Sequence, residues 1–334
     1  MSVRCRPMKA RDVSQSVGIL ASHAIVAPRY GEAINQLGPA WLRVLDCDAF
    51  RTIVFEEVEG DAVRLVGAGT SVFVTDQFLL EIKTAPFFWI GSELASQIMQ
   101  GKSPLLRNDE VRAANSNGGL NLVLWHLCIH PEDTRRAEVR TQVSAGFFEA
   151  HRGFLLKELI ALQASFAEEP GWIVDGGALM LNPADGRYAD PTEKADAAIL
   201  WTPHVFGLSR ELALSKMSWI SSLFHHEPPR IVFSGSEQRL LLAALRGGTD
   251  EELSDELTIS LSAVKKAWIS IYDRAAMRLP KSILGNGNGC ERGEGERGKQ
   301  KKQRLLGYLR EHPEELRPYS RRSLNQNSEN QVVR

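Results

Sequence analysis

The chain has 334 residues, 43% apolar and 24% charged. That is ordinary globular usage with room for more than one core, and it excludes wholesale disorder, collagen and coiled coil. With 40 basic and 41 acidic side chains the formal net charge is -1, so any nucleic-acid contact must come from a local patch.

Cys5, Cys47, Cys128 and Cys290 form no CxxC pair, which points to reduced thiols and a cytoplasmic protein. No run approaches the roughly 18 apolar residues of a membrane span, so no membrane partner is expected.

Near the start, Arg4, Arg6, Lys9 and Arg11 precede the apolar stretch 17–27 and mimic a secretion signal. Asp12 and His23 interrupt that mimicry. Val13, Val17, Leu20 and Ala24 recur at helical spacing, as a surface helix of a folded domain would. Residues 51–58 (RTIVFEEV) and 63–75 (VRLVGAGTSVFVT) then read as extended stretches across a turn at Asp61. A helix over 92–100 ends at Gly101, and 115–119 (NSNGG) is a loop. The run 120–130 (LNLVLWHLCIH) reads as a buried strand closed by Pro131. A long helix is expected over 137–168, carrying Val143, Phe147, Phe154, Leu155, Leu159 and Leu162, before strand character returns at 171–181. Residues 1–182 therefore read as one α/β (or α+β) domain.

Residues 183–230 read as a partly helical connector, with a helix near 210–224 that packs on a neighbour. Residues 231–280 are all-α by pattern. Residues 281–334 combine a Gly-rich tether (GNGNGCERGEGERG), a basic amphipathic stretch (KQKKQRLLGYLR) and a polar tail expected to be disordered.

Three helices follow from local signals in 233–274. Ser234 or Ser236 caps the first, and Gly247-Gly248 ends it. Thr249 with Glu252 makes a capping-box spacing for the second, where Leu253 and Leu257 are the buried pair. Thr258-Ile259-Ser260 forms the turn, with Ile259 plugging the angle between the helices. Ser260 caps the third, where Val264, Trp268, Ile271 and Ala275 repeat on one face. A three-residue turn between short helices is the geometry that sets the second of them in a major groove.

The ordered set Glu237, Leu241, Gly247, Thr249, Glu252-Leu253-Ser254, Leu257, Ile259-Ser260 and Val264-Lys265 resembles the LuxR-type helix-turn-helix family. The resemblance implies a DNA-binding domain. Ser262, Lys265, Lys266 and Ile269 would face the groove or its rim, and Thr249 and Ser260 would lie at the helix starts beside it. Arg274 and Arg278 continue the third helix and either reach phosphates or form a solvated face. Double-stranded DNA is then the expected partner. The acids Asp250, Glu251, Glu252, Asp255 and Glu256 oppose phosphate contact, so binding as a homodimer is expected. A protein-interaction module without DNA contact is the other reading of this pattern.

In residues 1–182 the order of elements resembles the GNAT acyltransferase fold, chiefly through 63–74 and 124–136 (LWHLCIHPEDTRR). That family holds a coenzyme A pyrophosphate on a glycine-bearing loop at a helix N-terminus. Here His130-Pro131 is followed by Thr134-Arg135-Arg136-Ala137-Glu138-Val139-Arg140, which lacks both glycines. The expectation leans away from an enzyme, with no cofactor and no catalytic residue assigned. Arg135, Arg136 and Arg140 remain to meet an anionic ligand.

His126, Cys128 and His130 alternate onto one strand face. Their spacing of roughly 6.5–7 Å fits one tetrahedral ion poorly, so core packing is expected and no metal. The combined expectation is a transcriptional regulator with a GNAT-like domain sensing a small-molecule or protein effector. An N-acetyltransferase with a helical partner-binding domain, and a non-catalytic adaptor, are the alternatives.

Overall fold

The computed structural model describes residues 2–23, 26–60, 62–84, 87–164, 174–181, 188–189, 203–280, 283 and 294–320. It divides into two units between His225 and His226.

The first unit is built on a mixed sheet of eight strands: β1 (Ser2–Arg6), β2 (Phe50–Glu59), β3 (Ala62–Val74), β4 (Leu120–Ile129), β5 (Leu156–Ala164), β6 (Leu179–Leu181), β7 (Tyr188–Ala189) and β8 (His204–Ser209). Their order across the sheet is β1-β2-β3-β4-β5-β8-β6-β7. The β4–β5 pair is parallel, and the other pairs are antiparallel.

Among the described residues, helices before β8 that dress the sheet include α1 (Ala10–Ala21), α2 (Val26–Tyr30), α3 (Ile34–Val44), α4 (Asp76–Lys83), α5 (Ile90–Met99), α6 (Asn108–Ser116) and α7 (Ala137–His151). Strand alternation divides their work. Val54 joins the large core with Leu20, Leu37 and Trp41. Its neighbours Ile53 and Phe55 join a separate cluster with Val3, Val66 and Val139 of α7. Gly146 lets α7 lie close to the sheet, because a Cβ there would collide with Ile53.

Two expectations need correction here. The long helix over 137–168 stops at His151; Gly153 takes φ +84°, and residues 156–164 are β5. Leu155, Leu159 and Leu162 mimic a helical stripe. An interior strand with both faces covered is apolar almost throughout and loses its period-two signature. Before α1, β1 carries Arg4 and Arg6, which pair with Glu56, Arg6 also with Asp12 at 2.6 Å. Finally, the connector supplies β8, which pairs with both β5 and β6. It continues into α8 (Arg210–Lys216), which ends where Met217 turns left-handed at φ 49°, and into a 3-10 turn, Trp219–Phe224.

The second unit is helical: α9 (Gly235–Leu245), α10 (Asp250–Leu257), α11 (Leu261–Arg278) and α12 (Glu294–Glu311), followed by the 3-10 turn Pro313–Leu316. The expected caps form. The hydroxyls of Ser234, Thr249 and Ser260 accept from the amides of Glu237, Glu252 and Ala263. Gly247 closes α9 at φ +99°.

Part of the predicted disordered tail belongs to this core: Leu305, Leu306, Leu309 and Leu316 are buried with Leu240, Leu241 and Ile271. The Glu315 carboxylate is fully buried and accepts from the Arg230 and Ile231 amides at 2.8 and 2.9 Å and from the Tyr308 hydroxyl at 3.1 Å. A polar composition hid this, because a few leucines at helical spacing suffice once a neighbouring core is there to receive them. The Gly-rich residues 284–293 and the tail end 321–334 lie outside the described residues.

Candidate functional site

The sequence pointed to the third helix of the second unit. Helix α11 buries Val264, Trp268, Ile271 and Ala275, which fixes its rotation. Ser262, Lys265, Lys266 and Ile269 then fall together on the opposite, exposed face, and Thr249 and Ser260 are exposed at the starts of α10 and α11. Ile269 is 61% exposed, so it takes no part in the core.

Two residues sit differently from expectation. Ile259 does not plug the helix angle: it is exposed, while Ser254 Oγ donates to its carbonyl and the turn is made by Thr258 at φ 55°. Arg274, read as a candidate phosphate contact, instead pairs with the buried Glu237 at 3.1 Å.

The acidic second helix is less anionic than its sequence suggests. Asp250 accepts from Trp268 Nε1 at 3.2 Å and from Lys302 at 3.0 Å. Glu256 pairs with Arg246, and Glu252 is occupied by the capping box. Lys301 and Lys302 also stand over the Tyr272 and Trp268 rings. Glu251 and Asp255 are left as exposed acids on α10.

In the first unit the interesting geometry gathers around β4. Its ladder with β3 skips Trp125: Thr70 pairs with His126, and Ser71 with Leu124. Such a bulge breaks side-chain alternation. The ladder from His126 to Ile129 is regular, so His126 and Cys128 keep their common face, and it is Trp125 that the bulge brings into the core beside Cys128. Cys128 Sγ is buried against the Ala68 and Ser16 carbonyls, whereas His126 meets the Tyr30 hydroxyl. Burial pushes the His126 imidazole down to about 3 and the Cys128 thiol up to about 12.

Beyond Val123, β4 and the parallel β5 are no longer paired. A small cavity of about 160 Å³ opens there, lined by Tyr30, Trp89, Trp125, His126, Ile160 and Gln163.

The turn after β4 is tied down by ions. Arg64 bridges Glu57 and Asp133 at 2.8 Å each, and Arg136 does the same at 2.5 and 2.8 Å. Arg136 and Arg64 hold the Glu57 carboxyl below the usual carboxylate range. For the buried Asp133, desolvation acts the other way and the two guanidiniums prevail. Arg136 is therefore committed to this network rather than open to an anionic ligand. Arg135 and Arg140 are exposed.

A larger cavity of about 460 Å³ lies between α7 and strands β2–β4, closed on one side by Phe147 and Trp219. Its polar lining includes Arg51, Thr70, Ser71, Arg140, His151 and Asp175. Ser71 Oγ and His151 Nε2 are 2.6 Å apart, and His151 Nδ1 lies 2.7 Å from the Phe147 carbonyl. A carbonyl only accepts, so the Nδ1 proton points at it and Nε2 of the neutral ring accepts from Ser71. The sequence reading missed this cavity and the half-buried Arg51 beside it. The one available signal was an arginine opening an otherwise apolar strand.

No protein-family model matches the sequence, and no curated protein matches it. Among solved structures the chain is similar to the loading GNATL domain of CurA from Lyngbya majuscula, at 12% identity and a TM-score of 0.34, over 62% of this chain and 96% of that one. The likeness is a weak one of fold over a segment. Among the described residues no helix is long and apolar enough to cross a membrane.

Proposed function

We propose that this protein is a cytoplasmic DNA-binding transcriptional regulator of the LuxR type, whose first unit senses an effector. The observation that carries the reading is the exposed face Ser262, Lys265, Lys266 and Ile269 on an 18-residue helix. That helix is capped by Ser260, held by a buried Trp268 and set across a three-residue turn from α10. A rigid helix with two free lysines and no acid among those four residues suits a major groove. Two lysines give modest affinity, so a homodimer on a two-fold or repeated site is part of the proposal.

Selection of fragments from genomic DNA by the intact protein, at low and moderate salt, supplies a target. On it, Lys265→Ala with Lys266→Ala should weaken binding and flatten the slope of log K against log salt by about 1.8 if both contact phosphate. Unchanged affinity and slope would remove the proposal and leave an interaction module.

The opening between β4 and β5 favours acyl transfer as a second reading. Calorimetry with acetyl-CoA decides it: a stoichiometric micromolar site would promote it. Arg136 locked to Glu57 and Asp133, and the absence of loop glycines, lead us to expect no saturable binding.

A further inference from the structure

The first unit keeps a positive charge where none of its described residues answers it. Arg51 makes no hydrogen bond and no ion pair among them; its Nε is buried without a partner. The guanidinium carbon lies 5.4 Å from the Phe154 ring centroid. The charged neighbour that acts on it is Asp48, itself 3.6 Å from Arg112. A guanidinium drawn part-way out of water without a counter-ion is destabilising.

Arg51 lines the 460 Å³ cavity, whose other walls include Ile53, Leu124, Val143 and Phe147. Ser71 and His151 on the same wall answer each other, so they do not compete for a ligand. His126, Arg140 and Asp175 are the remaining titratable groups on the lining. Asp175 is exposed. An open donor fork at one end of an apolar chamber matches one planar anion with a hydrocarbon body.

We infer that this cavity binds an apolar monocarboxylate, its head on Arg51 and its chain between α7 and the sheet, an inference that rests on the reading of this unit as the sensing half. The carboxylate would supply the missing counter-ion and the acceptor that Arg51 Nε lacks.

The test is calorimetry on the full chain with octanoate, decanoate and dodecanoate, and with decanamide as the neutral control. At least one acid should bind saturably with one site per chain, and about tenfold or more tighter than decanamide, as charge-assisted bonding predicts. Arg51→Gln should erase that preference. Should this variant fail to fold, Val143→Trp fills the chamber from the partly exposed face of α7 and should abolish binding of acid and amide alike. Equal affinity for acid and amide overturns the inference, as does failure of all three acids to saturate. Binding that leaves DNA affinity unchanged would instead leave the inference standing and remove the sensing role.

Discussion

The two units handle their buried polar groups in opposite ways. In the helical unit, Glu237, Gln238 and Glu315 are buried and each is fully engaged: Glu237 by Ser234, Ser270 and Arg274, Gln238 by two carbonyls, Glu315 by backbone amides and Tyr308. Its candidate function therefore lies outside, on a face left over by packing. In the α/β unit, the Nε of Arg51 is left unanswered beside a void. Its candidate function lies inside. A closed core makes a platform, whereas an unfilled one with an unpaired charge makes a receptor.

The contrast breaks most easily if the helical core is not closed as described. Removing residues 294–334 would strip Leu305, Leu306, Leu309 and Leu316 from it. At about 2 kcal/mol each, the loss rivals the whole stability of a small domain. The truncated chain should lose the helical unit's cooperative melt by circular dichroism while the α/β unit still unfolds as before. Cleavage within the Gly-rich residues 284–293 of the intact protein should accordingly leave the 294–320 peptide bound under native conditions.

Acid should act on the other unit. The folded His126 imidazole titrates at about 3, against 6.5 when free. Between those values the unfolded chain takes up a proton that the folded chain refuses. Stability should therefore fall as pH falls through that window, by about 1.4 kcal/mol per unit for this one group. His204, also lowered by burial, adds in the same direction. Above about pH 5 carboxylates are ionised in both states and contribute little. Urea unfolding of His126→Gln at pH 6.5 and 5 should show a flatter acid limb; an unchanged limb would place His126 in water.

A smaller effect sharpens the picture of the platform. Ser260→Ala removes the acceptor for the Ala263 amide and should cost about 1 kcal/mol. Amide exchange should rise in the first turn of α11 and hardly at all in α9. Exchange that rises equally in both helices would mean that the cap is not local.

The helical unit was legible because its signals are local. Ser234, Thr249 and Ser260 cap within three residues, and Gly247 closes a helix by its own backbone freedom. Val264, Trp268, Ile271 and Ala275 announce the buried face by spacing alone, and so fix where Lys265 and Lys266 point. The local rules failed at Ile259, where the turn and not the side chain closes the angle, and at Arg274, whose partner Glu237 lies on another helix.

For the α/β unit the sequence by itself determined strands β2, β3 and β4 and the first helix, because each carries its own periodicity or β-branched composition. Tertiary structure decided the rest. Strand β5 looks helical until both its faces are covered, and β8 looks like a connector until it pairs with β5 and β6. The bulge at Trp125 exists only as a register between two strands. The cavity is likewise a property of no segment. It arises where α7, the 3-10 turn at Trp219 and three strands fail to fill the space between them. Sequence patterns report what a residue prefers near its neighbours in the chain. Whether Arg51 finds a partner depends on groups tens of residues away, and only the assembled fold brings those groups near or leaves them out.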